Sequence, residues 1–211
     1  MGTLYKGSQK ICPIISGGTT TSDGMLRVVE NGVYKIPTSN FTFVLPANAT
    51  KLGNSALKSA FLGCSGIISA DLSSLVTLDG VNSLRNAFDD CANLESVDFQ
   101  NLTTISGTNN LMEAFDYCPK LTSLSFPSLT NIVANGLEYM VSTGSSLENI
   151  YFPALTTSSN ISDDSFTNMY LEYNCTIHFP SNMESTMTNW DSMENLRMNG
   201  NTVAFDLPAT T

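Results

Sequence analysis

A spacing of 27 residues runs through most of this chain and restricts its fold more than any other feature. Laid under one another, segments 82–99 and 109–126 match at every landmark. Leu84 falls on Leu111, Ala87-Phe88 on Ala114-Phe115, Cys91 on Cys118, Leu94 on Leu121 and Phe99 on Phe126. Segment 55–72 keeps the same spacing. One landmark extends further, through Leu45, Leu72, Phe99, Phe126, Phe152, Phe179 and Phe205, in steps of 27, 27, 27, 26, 27 and 26 residues. A unit this short buries almost nothing by itself. It becomes stable only when neighbours above and below cover its apolar sides, which requires a stack of coils sharing one interior.

Two periodicities alternate within a unit. Val97-Asp98-Phe99, Leu124-Ser125-Phe126 and Ile150-Tyr151-Phe152 switch between apolar and polar, as a half-buried strand does. Leu57/Phe61, Leu84/Phe88, Leu111/Phe115 and Leu137/Val141 are pairs at i and i+4, which places both side chains on one face of a helical turn. Ser55, Asn82, Asn109 and Asn135 precede these turns, where their side chains are expected to cap free N–H groups. The expected class is α/β: a right-handed solenoid of about six to seven coils of 26–27 residues, with a parallel sheet on one face and short helices or turns on the other. Its strands would lie about 4.8 Å apart. Leu94/Leu121/Leu147 and Leu75/Leu102/Leu129/Leu155 are expected to form continuous apolar columns.

Three units carry Ala-Phe-x-x-Cys, at Ala60-Phe61/Cys64, Ala87-Phe88/Cys91 and Ala114-Phe115/Cys118, followed by a leucine and an apolar–polar–Phe strand. This pattern resembles the BspA-type (Treponema-type) leucine-rich repeat and covers roughly residues 41–180. The fourth unit departs from it, with Met140-Val141 and Gly144 in place of Ala-Phe and Cys, and the unit around Ser165-Phe166 departs further. The resemblance implies a leucine-rich-repeat solenoid and a binding role, since such proteins are mostly bacterial or protozoal surface proteins involved in adhesion. It therefore also implies a place on a cell surface or outside the cell.

The two ends do not follow the repeat. Residues 1–40 read as strand segments: a hairpin over Leu4 to Ile15, a linker over Gly17 to Ser22, and a second hairpin around Asn31-Gly32. They are expected either to cap the first coil or to serve as an attachment segment. The opening Leu4-Tyr5-Lys6-Gly7-Ser8 resembles short N-terminal segments of phage and prophage structural proteins, which implies an alternative role in assembling a virion. Residues 181–211 are expected to form a capping helix, opened by Asn182, closed by Asn199-Gly200 and burying Met183, Met187, Trp190 and Met193, then a last strand.

Lys and Arg number 9 against 19 Asp and Glu, a net charge of −10, which argues against nucleic acid and anionic membrane as partners. No apolar run reaches the ~20 residues of a membrane helix, and the first residues lack the basic and apolar regions of a signal peptide.

Chemistry-bearing residues are few. His178 points outward in Ile177-His178-Phe179 and has no Cys or His at zinc spacing, so neither a metal nor a catalytic role is expected. Cys64, Cys91 and Cys118 recur at 27 residues and are read as reduced, small apolar fillers, with Cys12 and Cys175 elsewhere. Asp89, Asp90 and Asp116 follow the turns and are expected to be solvated. Asp71 and Asp98 fall in one outward column about one strand spacing apart, either as two solvated carboxylates or as a weak cation site. No catalytic constellation and no cofactor motif is present, so the chain is not expected to be an enzyme. The expected contact surface is the strand face carrying Asp71, Asp98, Gln100, Ser125, Tyr151 and His178, whose flat polar character suits a protein or glycan partner.

Overall fold

The computed structural model describes the backbone of residues 3–6, 9–13, 18–20, 26–30 and 33–35. From residue 38 to 209 it describes all but 133–134, 142–143, 145, 157–160, 162–164, 167–168, 170, 172–173, 188–196 and 198–199. Strands β1 (Thr3–Lys6) and β2 (Gln9–Pro13) pair antiparallel, as the first expected hairpin requires. The expected linker instead contributes β3 (Gly18–Thr20), which pairs antiparallel with β4 (Leu26–Glu30). β4 pairs in turn with β5 (Val33–Lys35), Glu30 opposite Val33.

From residue 41 the chain winds through parallel strands. The front strands are β6 (Phe41–Val44), β8 (Ile67–Asp71), β10 (Ser96–Asp98), β12 (Ser123–Ser125), β14 (Asn149–Tyr151), β15 (Thr176–Pro180) and β16 (Thr202–Leu207). Alternation decides which side chains point inward. Phe43, Ala70, Leu124, Ile150 and Ile177 are buried, while Thr42, Ser96, Asp98 and Ser123 are exposed. The landmark phenylalanines follow each strand into the interior and stack: Phe99 on Phe126 at 5.0 Å, Phe126 on Phe152 at 5.2 Å, and Phe152 on Phe179 at 5.5 Å between centroids. Phe61, Phe88 and Phe115 form a second such stack, at 5.3 and 5.8 Å. Both leucine columns expected from the repeat are buried throughout.

A second parallel ladder, not foreseen in the sequence, runs through β7 (Lys51–Leu52), β9 (Thr77–Leu78), β11 (Thr104–Ile105) and β13 (Asn131–Ile132), and continues as a bridge from Ile132 to Ile161. A closed coil has both a front strand and a rung of this ladder. The rungs at Leu52, Leu78, Ile105, Ile132 and Ile161 therefore define about five complete turns instead of the expected six to seven, with β15 and β16 as additional front strands.

The third side corrects the expected helices. Residues 53–64, 80–91 and 107–118 form runs of turns, and among the described residues the four-residue α1 (Glu184–Met187) is the only α-helix assigned as an element. In the first run, Ala60 N–H donates to Leu57 and Cys64 N–H to Phe61, three residues back. Alternate N–H groups leave the coil: those of Leu57, Ser59, Phe61 and Gly63 donate to the carbonyls of Ser83, Arg85, Ala87 and Asp89 in the next one, at 2.8–2.9 Å. This alternation needs a left-handed residue at every fourth place, and Asn82, Asn86 and Asp90 have φ of 56°, 53° and 56°. Asn and Asp tolerate that conformation better than most residues. Asn82 is therefore not a helix cap, and its side-chain oxygen is buried without a hydrogen-bond partner. The i, i+4 pairs still point inward, because four residues of this ribbon also bring the chain back to the same face.

The C-terminal region departs in a similar way. Pro180, not Asn182, flanks a 3-10 turn over Ser181–Met183 that leads into α1, and no side chain caps it. Met183 and Met187 are fully buried. Trp190, Met193 and Asn199 lie outside the described residues.

Other polar groups inside the stack are satisfied between coils, Asn110 among them. Asn110 is fully buried; its amide donates to Leu78 and Gly107 carbonyls at 3.1 and 2.7 Å, and its oxygen accepts from Ser83 N–H at 3.2 Å. The glycines beside it permit backbone to touch backbone. A Cβ on Gly107 would overlap the Gly80 carbonyl oxygen, and one on Gly80 would overlap Gly53. Gly107→Ala should therefore destabilise more than an ordinary surface substitution, by about 1–3 kcal/mol as for other overpacking changes. Phe88→Ala should cost about 3–5 kcal/mol. Chemical denaturation measures both; a Gly107→Ala protein as stable as the parent would contradict the close coil contact.

Candidate functional site

The front face is where the strand pleat turns side chains outward in register. Strand pairing sets Asp98 beside Asp71 in one set, and Ser125, Tyr151 and His178 beside one another in a second, so five of the six residues singled out in the sequence stand at equivalent outward positions of the front strands. Gln100 is exposed beyond the end of β10. The column breaks into two parts of different chemistry.

The first part is carboxylate. Asp71 Oδ1 accepts from the N–H of Ser73 at 3.0 Å and from its hydroxyl, and Asp98 Oδ1 accepts from Gln100 N–H at 2.8 Å. Each acid is thus fixed by the turn that ends its own strand. Around them lies an open depression of about 470 Å³ reaching from Thr42 and Ser69 across Ser96 and Val97 to Ser125 and Pro127.

The second part is aromatic. The rings of Tyr151 and His178 stack at 4.5 Å with 12° between their planes. His178 points outward as expected, yet its side chain is only 13% exposed. Its Nδ1 lies 2.9 Å from an Asp206 oxygen and its Nε2 3.0 Å from Asn149 Oδ1. Asp206 was not legible as a partner. The strand register sets Ala204 opposite His178, and because alanine reaches nothing, the next outward residue bends back to the ring.

The front sheet is also interrupted. β6, β8 and β10 form one hydrogen-bonded group and β12, β14, β15 and β16 another. Leu72 N–H donates to Asp98, Phe126 N–H to Tyr151 and Phe152 N–H to His178, but the corresponding bond from Phe99 to Ser125 is missing. Val97, at an inward position, is consequently only partly buried and lines the depression.

Away from this face, the cysteines are structural. Cys64, Cys91, Cys118 and Cys175 are buried. The thiols of Cys91 and Cys118 donate to the Phe61 and Phe88 carbonyls, each at 3.1 Å. Burial pushes Cys91 up, and Cys118 and Cys175 up to about 12. On the turn side, Asp90 is exposed but Asp116 is buried, contrary to the expectation that all three aspartates there are solvated. Burial also raises Asp89, and the neighbouring Asp116, Asp90 and Glu113 add to the effect. Among the described residues no group of three or more His, Cys, Asp or Glu side chains is placed to hold a metal ion, and no helix is long and apolar enough to cross a membrane.

The geometry defines a repeat protein whose coils share one core and display one polar strand face. A family model for the BspA type leucine rich repeat region matches in six copies over residues 25–135 and 58–195. The chain belongs to the BspA-type leucine-rich-repeat family. A solved leucine-rich-repeat protein from T. pallidum is 14% identical, with 92% of this chain and 96% of that one covered at a TM-score of 0.33. No curated protein matches the chain in sequence. Solenoids of this family are commonly binding scaffolds, and nothing in the described residues indicates enzyme activity.

Raised thiol pKa values fix a sign. The buried thiols stay neutral in the folded protein, whereas an unfolded thiol ionises near 8.5. Their contribution is fully present below that pH and declines as pH rises toward the folded value of about 12 for Cys118. Unfolding free energy should therefore fall above about pH 8.5, by up to ~1.4 kcal/mol per pH unit per thiol, and less steeply in Cys118→Ala. Identical slopes for parent and variant would show that Cys118 titrates as freely folded as unfolded.

Proposed function

We propose that this chain is a non-catalytic binding module that docks a protein or glycan on a cell or virion surface through the front face carrying Asp71, Asp98, Gln100, Ser125, Tyr151 and His178. The observation that carries this reading is the fixed geometry of that column. Asp71 and Asp98 are held by their own turns, and His178 is held from two sides. Pre-set polar groups lose little freedom on binding, which favours recognition by a shallow, wet surface. The front face supplies an extended surface with an open depression, in keeping with a macromolecular partner. In this reading residues 41–180 form the binding solenoid, residues 181–211 close it, and residues 1–40 cap or attach it.

Replacing Asp98 and Tyr151 together, as Asp98→Asn with Tyr151→Leu, should abolish binding to intact cells and to arrayed surface proteins and glycans while leaving the denaturation midpoint within the range of ordinary surface substitutions. Undiminished binding by this double variant would remove the front face as the contact surface.

A further inference from the structure

The junction between the two halves of the front column is shaped for a particular group. Tyr151 and His178 lie nearly parallel at 4.5 Å on paired neighbouring strands. One face of Tyr151 is covered by His178. The other is turned toward the neighbouring column position, which strand pairing assigns to Ser125. Serine is too short to cover a phenol ring, and Tyr151 is half-buried in consequence. One strand further, Asp98 stands exposed, its Oδ1 engaged by Gln100 N–H and its carboxylate held in place. Ser125 therefore forms the floor of a notch with a carboxylate on one wall and an aromatic face on the other. Ser125 is paired with Tyr151 on one side and shares the lining of the open depression with Asp98 on the other. The interrupted ladder between β10 and β12 lies at the foot of this notch, so backbone hydrogen bonds do not draw the two walls together there.

A flat cation fits between such walls. It can stack on the ring within ~6 Å of the centroid while its N–H groups reach a carboxylate oxygen at about 2.7–2.9 Å. Arginine satisfies both demands at once because its guanidinium is planar and carries donors along its edge; lysine offers a point charge without the plane. The electrostatics agree. Among the described outward positions of the front strands there is no Lys or Arg, while Asp71, Asp98 and Asp206 are all there. We propose that the notch over Ser125, between Asp98 and Tyr151, receives an arginine side chain presented by the protein partner. This rests on the front face being the binding surface, and it narrows the partner to a polypeptide with an exposed arginine.

The probe is the peptide acetyl-Gly-Ser-Arg-Ser-Gly-amide, compared with the same peptide carrying citrulline, which keeps the plane and removes the charge. Heteronuclear NMR of the whole chain follows the Ser125 amide and the Tyr151 ring. The arginine peptide should shift both resonances saturably, and the citrulline peptide should bind at least about fivefold more weakly. Asp98→Asn and Tyr151→Leu should each weaken binding about two- to fivefold. Ser125→Leu, which fills the notch and leaves both walls in place, should abolish it. Asp90→Asn, which removes the same charge from the turn side, should change nothing.

Equal binding of the two peptides, binding that survives Ser125→Leu, an effect of Asp90→Asn as large as that of Asp98→Asn, or no saturable shift at all would each overturn the arginine notch. Any of these results combined with loss of cell-surface binding in the Asp98/Tyr151 double variant would leave the front face standing as the contact surface and reject only its arginine specificity.

Discussion

Hydrogen bonding between coils is the constraint from which the rest of this structure follows. A coil of 26–27 residues has too little apolar area to fold by itself, so its backbone groups must find partners above and below. They do so on three sides: along the front strands, along the second short ladder, and along the ribbon of turns, where alternate N–H groups reach the next coil. Once the coils are tied at these three lines, equivalent side chains have nowhere to go but over one another. The phenylalanine stacks, the leucine columns and the asparagine bonded between glycine-lined turns are consequences of that registration.

Most of this architecture was legible because repetition is visible in a single sequence. Phe99, Phe126 and Phe152 announce a column before any coordinate is known, and so do the outward Asp98, Ser125 and Tyr151. The turn side was misread for a physical reason. Leu84 and Phe88 at i and i+4 satisfy a helix, but they satisfy equally a ribbon that adopts a left-handed residue every fourth position. A discriminating signal was present in one coil, in the spacing of Asn82, Asn86 and Asp90, residues that tolerate positive φ, but the next coil hides it by placing Glu113 and Tyr117 at the equivalent positions. The second ladder escaped because a two-residue strand has no periodicity to detect, although Leu78, Ile105 and Ile132 recur at the repeat distance.

The candidate surface was legible as a list and not as an arrangement. Column membership follows from the period, but the covering of His178 by Tyr151 and the reach of Asp206 depend on rotamers and on the irregular register of the last strand. The same limit applies to Ser125. As a letter it is one more serine in a serine-rich face, and it acquires meaning only from the ring on one side and the carboxylate on the other.

The gap between β10 and β12 has a mechanical consequence. In a solenoid, stability is the sum of what each coil contributes and what each junction adds. Every junction between front strands is hydrogen-bonded along the front except this one, which relies on its second ladder, on the turn-side bonds from Glu113 and Phe115 to Tyr139 and Met140, and on the stacked rings of Phe99 and Phe126. The front strands therefore form two hydrogen-bonded blocks that are joined through the other two sides of the coil. A fraying end would come to rest where the two blocks meet, because that junction adds the least.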